Sequence, residues 1–270
     1  MKVFGLIGEK LSHSLSPIIH KHIYELINLD ATYSLFQVRP DELNAAAQGI
    51  RALGLQGVNV TIPYKVKIMK YLDDISPEAK KIGAVNTILH VGSYLTGYNT
   101  DYIGFGRMLD KYNIELPGKT AVVLGSGGAA KSVTTYLEDM GIAKVYIVTR
   151  NLSNISHFTK HEFISYAQLS QSPQFDLLIN CTPVGMYPST DASPINNAEV
   201  TKFKTIIDLI YNPSCTLLMR QANDFGVPAY NGLYMLVAQA VAAVEIWNNI
   251  KVSDDIVAVV YDRIRQHIKR

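Results

Sequence analysis

A chain of 270 residues exceeds the usual single-domain size, so one large or two medium domains are expected, and two is the reading adopted. Hydrophobic content of 48% with 18% charged residues is ordinary globular composition, and a formal charge of +2 gives no case for nucleic acid or another polyanion as partner. The seven histidines are scattered without an HExxH pattern, and the two cysteines, Cys181 and Cys215, have neither metal-ligand nor disulfide spacing, so no metal site and two reduced thiols are expected.

The opening apolar run, Lys2 to Gly8, is too short for a signal-peptide core or a membrane span. A cytoplasmic protein without a membrane partner is the expectation. Val3 to Gly8 reads as a strand, followed by a serine-rich turn and a helix from Ser16-Pro17, where serine caps and proline fits the first turn. Thr32 to Val38 alternates like a strand, and Pro40-Asp41-Glu42-Leu43 starts a helix whose early acids complement the dipole. Gly57 to Ile62 is a third strand ended by Pro63, with a short helix over Val66 to Leu72. Such strand–helix alternation implies a mostly parallel sheet covered by helices on both faces. Asp101 is placed to start a helix running to Tyr112, near a lobe boundary, and Leu116-Pro117-Gly118-Lys119 punctuates the chain before a second lobe. There Thr120–Leu124, Lys144–Val148, Phe175–Asn180 and Thr205–Ile210 are parallel-strand candidates, with Asn151 to His161 a polar surface connection. A long apolar helix follows from Leu233 to Ile250, and Ser253-Asp254-Asp255 caps a last helix. Return of these terminal helices to the first lobe would make that domain discontinuous.

Three stretches carry chemistry. Val122 to Leu124 ends in Gly125-Ser126-Gly127-Gly128-Ala129-Ala130, a G-x-G-x-x-A turn between a strand and a helix, where small residues let backbone approach a pyrophosphate at a helix amino end. The next strand ends in Val148-Thr149-Arg150-Asn151 with no acid for a ribose hydroxyl; Arg150 is instead suited to a 2′-phosphate, or is simply an exposed arginine. Lys65, just past a strand, is suited to exchange a proton with a carbonyl oxygen beside a nicotinamide, with Asp101 to hold it. A solvated surface lysine and a helix-capping aspartate are the plain alternatives.

His13-Ser14-Leu15-Ser16-Pro17, Asn59-Val60-Thr61-Ile62-Pro63-Tyr64-Lys65, Ala84-Val85-Asn86-Thr87 and Gly97-Tyr98-Asn99-Thr100-Asp101 together resemble, in matching order, the shikimate dehydrogenases, the family that reduces 3-dehydroshikimate to shikimate with NADPH in aromatic biosynthesis. The resemblance covers nearly the whole chain. It implies a two-lobed α/β enzyme, with a substrate-binding lobe over 1–102 completed by terminal helices at about 238–270, and an NADP-binding Rossmann-type lobe over 103–237. It also implies Lys65 and Asp101 as the catalytic pair, Ser14 and Ser16 on the substrate carboxylate, Thr61, Asn86, Asp101 and Gln239 on the ring hydroxyls, and Tyr211 of Asp208-Leu209-Ile210-Tyr211-Asn212-Pro213 near substrate. On the cofactor side it implies Gly125, Ser126, Gly127, Gly128 and Ala129, then Thr149 and Arg150, with Thr182, Leu209 and Gly232 towards the nicotinamide.

The chain departs from the family pattern at several points. Lys10 replaces a common proline, Thr149-Arg150-Asn151 replaces Asn-Arg-Thr, Asn154 stands where a second basic residue is common, and Tyr234 stands where glycine is frequent. The altered clamp weakens the preference for NADP and leaves NAD open. Tyr234 would either reshape the cofactor pocket or pack outward. A quinate or dual quinate/shikimate dehydrogenase is therefore the first alternative, and a non-catalytic dinucleotide-binding regulatory protein a remote one. A methylene folate dehydrogenase leaves the serine pair without a role. Composition suits a monomer and a homodimer equally.

Overall fold

A computed structural model describes residues 1–150, 158 and 160–268, and the chain divides into two compact units. The first unit comprises Met1–Phe105 and Leu236–His267; the second comprises Gly106–Met235 with the chain end from Ile268. In chain order the first runs β1 (Lys2–Gly8), α1 (Ser16–Leu26), β2 (Ala31–Gln37), α2 (Leu43–Ala52), β3 (Gly57–Val60), β4 (Asp74–Ile75), α3 (Pro77–Ile82), β5 (Thr87–Val91), β6 (Tyr94–Tyr98) and the start of α4 (Thr100–Lys111). The second contains β7 (Thr120–Leu124), α5 (Gly128–Asp139), β8 (Lys144–Val148), β9 (Glu162–Phe163), α6 (Tyr166–Gln171), β10 (Phe175–Asn180), α7 (Asn197–Val200), β11 (Phe203–Asp208), α8 (Leu217–Asp224) and β12 (Ala229–Asn231). The chain then enters α9 (Leu233–Asn248), which carries it back into the first unit, and ends with α10 (Asp254–Ile268).

The first sheet is mixed, in the order β2-β1-β3-β5-β6-β4. Its β1 is parallel to both β2 and β3, and β4 is parallel to β6, but β5 runs antiparallel to β3 and to β6. Strand–helix alternation therefore breaks at residue 91, where Gly92-Ser93 closes a two-residue hairpin with Gly92 at φ +61°. Helix periodicity says nothing about this turn, and so the alternation alone implied a more uniformly parallel sheet. Leu6, Ile7, Val58 and Val60 are buried, as strands covered on both faces require. The expected helix over Val66 to Leu72 is a short 3-10 turn at Lys67–Tyr71, and α2 is likewise preceded by one at Pro40–Glu42.

The second sheet has six strands, all parallel, in the order β12-β11-β10-β7-β8-β9. Its core is built from Val122, Leu124, Val148, Phe175, Leu178 and Ile206 with helix residues such as Leu169 and Leu218. The polar connection expected from Asn151 to His161 lies largely outside the described residues. Among the described residues no helix is long and apolar enough to cross a membrane.

One glycine explains how α9 seats in the first unit. The Trp247 indole stacks on Phe4 with centroids 4.7 Å apart and donates from Nε1 to the Ile88 carbonyl at 2.9 Å. A Cβ at Gly57 would lie 2.3 Å from two indole atoms, so strand and ring share a space only glycine leaves open. Replacing Gly57 with alanine forces the ring off its hydrogen bond, an overpacking cost of about 1–3 kcal/mol. Gly57→Ala is thus expected to lower the urea midpoint and the thermal midpoint, while an alanine at Gly49, inside α2 where a Cβ meets open space, lowers neither.

Candidate active site

In the first unit the sheet delivers polar side chains to one place. Beyond β3, the Thr61 amide donates to the Ile7 carbonyl at 2.9 Å and the Tyr64 amide donates to Thr61 in a tight turn. Tyr64 is fully buried with its hydroxyl on the Val38 carbonyl at 2.6 Å, and the Val85 amide donates to the Lys65 carbonyl at 2.8 Å. The lysine backbone is thereby fixed on both sides. Its Nζ donates to Asp101 Oδ2 at 2.6 Å, with side-chain exposures of 18% and 11%.

Asp101 sits in the first turn of α4 without acting as its cap. The Asn99 Oδ1 accepts from the Tyr102 amide at 3.3 Å, while Asn99 Nδ2 donates to the Ala84 carbonyl. The aspartate is left for other work: Oδ1 accepts from Asn86 Nδ2 at 2.9 Å and Oδ2 takes Lys65. Asn86 Oδ1 in turn accepts from the Thr100 amide at 2.7 Å and from the Thr87 hydroxyl at 3.0 Å. The Gln239 Oε1 accepts from the Thr100 hydroxyl at 3.2 Å, its own Nε2 bound to the Leu236 carbonyl. Lys65, Asp101, Asn86 and Gln239, far apart in the chain, thus meet in one network. Asn59, Thr87 and Thr100 belong to it as well and had no role assigned from sequence. For Asn59 the signal was a polar residue inside the apolar run Gly57-Val58-Asn59-Val60, a strand buried at all four positions.

Ser14 and Ser16 meet at the start of α1. The Ser16 amide donates to Ser14 Oγ at 3.2 Å; the cap position itself is Leu15, with no side-chain cap bond, so the expected serine cap is not formed and Ser16 is the first residue of the helix. A Cβ at Gly8 would strike the Thr61 side chain at 2.6 Å, which keeps the end of β1 close to Thr61.

In the second unit the candidate residues lie at the carboxyl ends of β7, β8, β10 and β11, the edge where open parallel sheets bind ligands. Gly125 has φ +103°, a conformation side chains rarely adopt, and packs against Thr182. Gly127 is different. Its φ is an ordinary −80° and a Cβ there would meet nothing within 4 Å, so neither strain nor packing within the chain demands glycine. Open space at the amino end of α5, without acids in its first turn, fits a phosphate-bearing group. The Ser126 and Thr149 hydroxyls lie 3.0 Å apart and tie the turn to the end of β8, where Arg150 is exposed. Asn151 and Asn154 lie outside the described residues.

A buried carboxylate organises the other two loops. Asp208 accepts from the Thr216 hydroxyl at 2.6 Å, from Asn180 Nδ2 at 3.0 Å and from the Ile210 amide at 3.2 Å. Asn180 Oδ1 takes the Thr182 hydroxyl at 2.7 Å, so Thr182 is tied to the loop that carries Leu209 and Tyr211. The Tyr211 phenol is pushed up by burial. At Gly232 a Cβ would lie 2.1 Å from the Leu209 carbonyl oxygen, a backbone approach that only glycine permits. Tyr234 does not pack outward: it is buried, edge-on to Tyr112 at 6.3 Å, with Tyr112 stacked on Tyr230 at 4.1 Å.

Comparison with known proteins fits this geometry. Residues 6–88, all within the first unit, match the family model described as "Shikimate dehydrogenase substrate binding domain". A shikimate dehydrogenase (NADP(+)) of Clostridium perfringens is 45% identical over 98% of this chain and 99% of its own. The chain belongs to the shikimate dehydrogenase family. Among solved relatives, a chorismate mutase/shikimate 5-dehydrogenase fusion protein from Clostridium acetobutylicum aligns with a TM-score of 0.97 at 46% identity, covering 100% of this chain and 99% of that one. A shikimate 5-dehydrogenase from Thermus thermophilus, solved in complex with NADP(H) and shikimate, aligns with a TM-score of 0.87 at 32% identity, covering 97% of this chain and 99% of that one.

Burial raises the Asp208 carboxyl above its ordinary value of 3.8, against the opposing effect of its three hydrogen-bond donors. The native state therefore holds this proton more tightly than the unfolded chain. That contribution to stability is full below 3.8 and is lost as pH rises through the native value. An uncharged isostere escapes this loss. The stability of Asp208→Asn relative to wild type is expected to become more favourable on going from pH 4 to pH 8, checked by urea unfolding of both proteins across that range.

Proposed function

We propose that the protein is an NADP-dependent shikimate dehydrogenase, interconverting shikimate and 3-dehydroshikimate. The observation that carries this reading is the 2.6 Å Lys65–Asp101 pair held by Asn86, Thr100 and Gln239, in a chain of the shikimate dehydrogenase family. A largely buried ammonium whose carboxylate partner is itself fixed on both oxygens is positioned for proton exchange with a polar substrate. In this reading the hydroxyls of Ser14 and Ser16 donate to the substrate carboxylate, and Thr61, Asn86, Asp101 and Gln239 hold the ring hydroxyls. The neutral amine of Lys65 accepts the proton of the reacting hydroxyl during oxidation, and its ammonium returns a proton to the carbonyl oxygen during reduction. Asp101 keeps the lysine in register through both directions.

NADP would supply, when bound, the hydride acceptor for oxidation as NADP⁺ and the hydride donor for reduction as NADPH. The turn from Gly125 through Ser126, Gly127 and Gly128 to Ala129 offers backbone amides to its pyrophosphate, and Gly127 has the open space this requires. Thr149 and Arg150 face a 2′-phosphate in this reading, with Arg150 supplying a planar, permanently charged fork. Thr182, Leu209 and Gly232 shape the nicotinamide end, and Tyr211 contributes to the substrate side. We place the enzyme in the cytoplasm, a reading supported by two free cysteine thiols.

The test is the initial rate of reduced-nicotinamide formation with shikimate or quinate, each with NADP⁺ and with NAD⁺. The expected result is turnover with shikimate and NADP⁺ well above the other three pairs. Preference for quinate or NAD⁺ would assign the chain to the dual-specificity alternative, and no turnover in any pair would overturn the enzymatic reading.

A further inference from the structure

We infer that Tyr33, on edge strand β2, is a positioning residue for the Lys65–Asp101 pair, because its phenol donates to Asn59 and sets the direction of a hydrogen-bond chain ending on the Asp101 carboxylate. This rests on the reading of Lys65 and Asp101 as the acid–base pair of a shikimate dehydrogenase.

The chain can be followed atom by atom. Tyr33 Oη donates to Asn59 Oδ1 at 2.8 Å, which turns Asn59 Nδ2 towards Thr87 Oγ1 at 2.9 Å. With its oxygen taken by that donor, the Thr87 hydroxyl presents its proton to Asn86 Oδ1 at 3.0 Å. Asn86 then aims Nδ2 at Asp101 Oδ1, 2.9 Å away, leaving Oδ2 for Lys65. Each amide has one donating end and one accepting end, so a donor fixed at the start orders those that follow. Asn59, Asn86 and Thr87 are all buried, and no solvent competes for these bonds.

The phenol is held as such a donor. Its ring stacks on His20 at 4.0 Å and 10°, and His20, fully buried, stacks in turn on Trp247 at 5.5 Å. Burial drives the His20 pKa down to about 3, so this neighbour is neutral at working pH, and burial pushes the Tyr33 phenol far above its ordinary range. Tyr64, also buried in the first unit, instead donates to the Val38 carbonyl.

Other anchors bound the effect. Asn59 Nδ2 also reaches the Asn86 carbonyl at 3.3 Å, Asn86 Nδ2 also donates to Thr100 Oγ1 at 3.0 Å, and the Thr100 amide holds Asn86 Oδ1 at 2.7 Å, so losing the phenol loosens the chain without releasing its end. The loss expected is about that of one buried hydrogen bond, on the order of tenfold in kcat.

The experiment measures wild type, Tyr33→Phe, Thr87→Val, Thr87→Ser and the Tyr33→Phe/Thr87→Val double variant with shikimate and NADP⁺. Tyr33→Phe keeps the ring and its stack on His20. It and Thr87→Val are each expected to lower kcat about tenfold with the dissociation constant for NADP⁺ unchanged, while Thr87→Ser, which keeps the hydroxyl, stays near wild type. The double variant is expected to be no slower than the slower single, since both cut one chain. A Tyr33→Phe kcat within about twofold of wild type, or losses that multiply in the double variant, would overturn the inference. Should Tyr33→Phe fail to fold, the Thr87 pair decides: equal kcat for valine and serine overturns it, and loss only with valine upholds it. An inactive wild type would instead overturn the proposed function, and this inference with it.

Discussion

An ammonium and a carboxylate 2.6 Å apart, mostly shielded from water, set the terms for the rest of the first unit. Such a pair persists only where its remaining hydrogen-bonding capacity is met, and removing one partner of a buried pair typically costs about 3–5 kcal/mol. Both Asp101 oxygens are occupied, by Lys65 and by Asn86. Asn86 is held in turn by Thr87 and Thr100, and Thr100 by Gln239 from a helix near the other end of the chain. The first sheet, the start of α4 and α9 are thus bound to one polar centre, and Trp247 seated over Gly57 fixes the helix that supplies Gln239.

The second unit solves a different problem, that of approaching a ligand with backbone rather than side chains. Its glycine turn combines a position that needs positive φ, Gly125, with one that needs only room, Gly127. The loops after β10 and β11 have no regular structure to hold them, and the buried Asp208 substitutes for it by binding Asn180, Thr216 and the Ile210 amide together. Solvation is given up to hold that carboxylate inside, which is why its pKa rises. The proposed nicotinamide contacts, Thr182 and Leu209, lie on the two segments so joined.

Much of this was legible in the sequence where local pattern decides the outcome. The all-parallel second sheet announced itself through unbroken apolar runs, and the bounds of β7, β8 and β10 follow those runs. The mixed first sheet did not, because pairing of β5 with β3 and β6 depends on a two-residue turn at Gly92-Ser93 and on partners distant in sequence. Asp101 looked like a helix cap as readily as a catalytic partner, since both need an aspartate in the same place. The fold gives the capping bond to Asn99, which removes the helix-cap reading of Asp101. Tyr33 and Asn59 carried no readable signal of their connection, for a hydrogen bond between strands separated by another strand has no periodicity. The meaning of Tyr234 likewise depended on Tyr112 and Tyr230 filling the space around it.

In the proposed reaction the Lys65 side chain exchanges the proton that accompanies hydride transfer. The most direct measurement is shikimate turnover by Lys65→Ala beside its equilibrium binding of NADP⁺. The expected result is turnover lower by about 10²–10⁴-fold, the usual contribution of a positioned acid–base group, with NADP⁺ bound as in wild type. Turnover equal to wild type would contradict it and remove Lys65 from the chemistry.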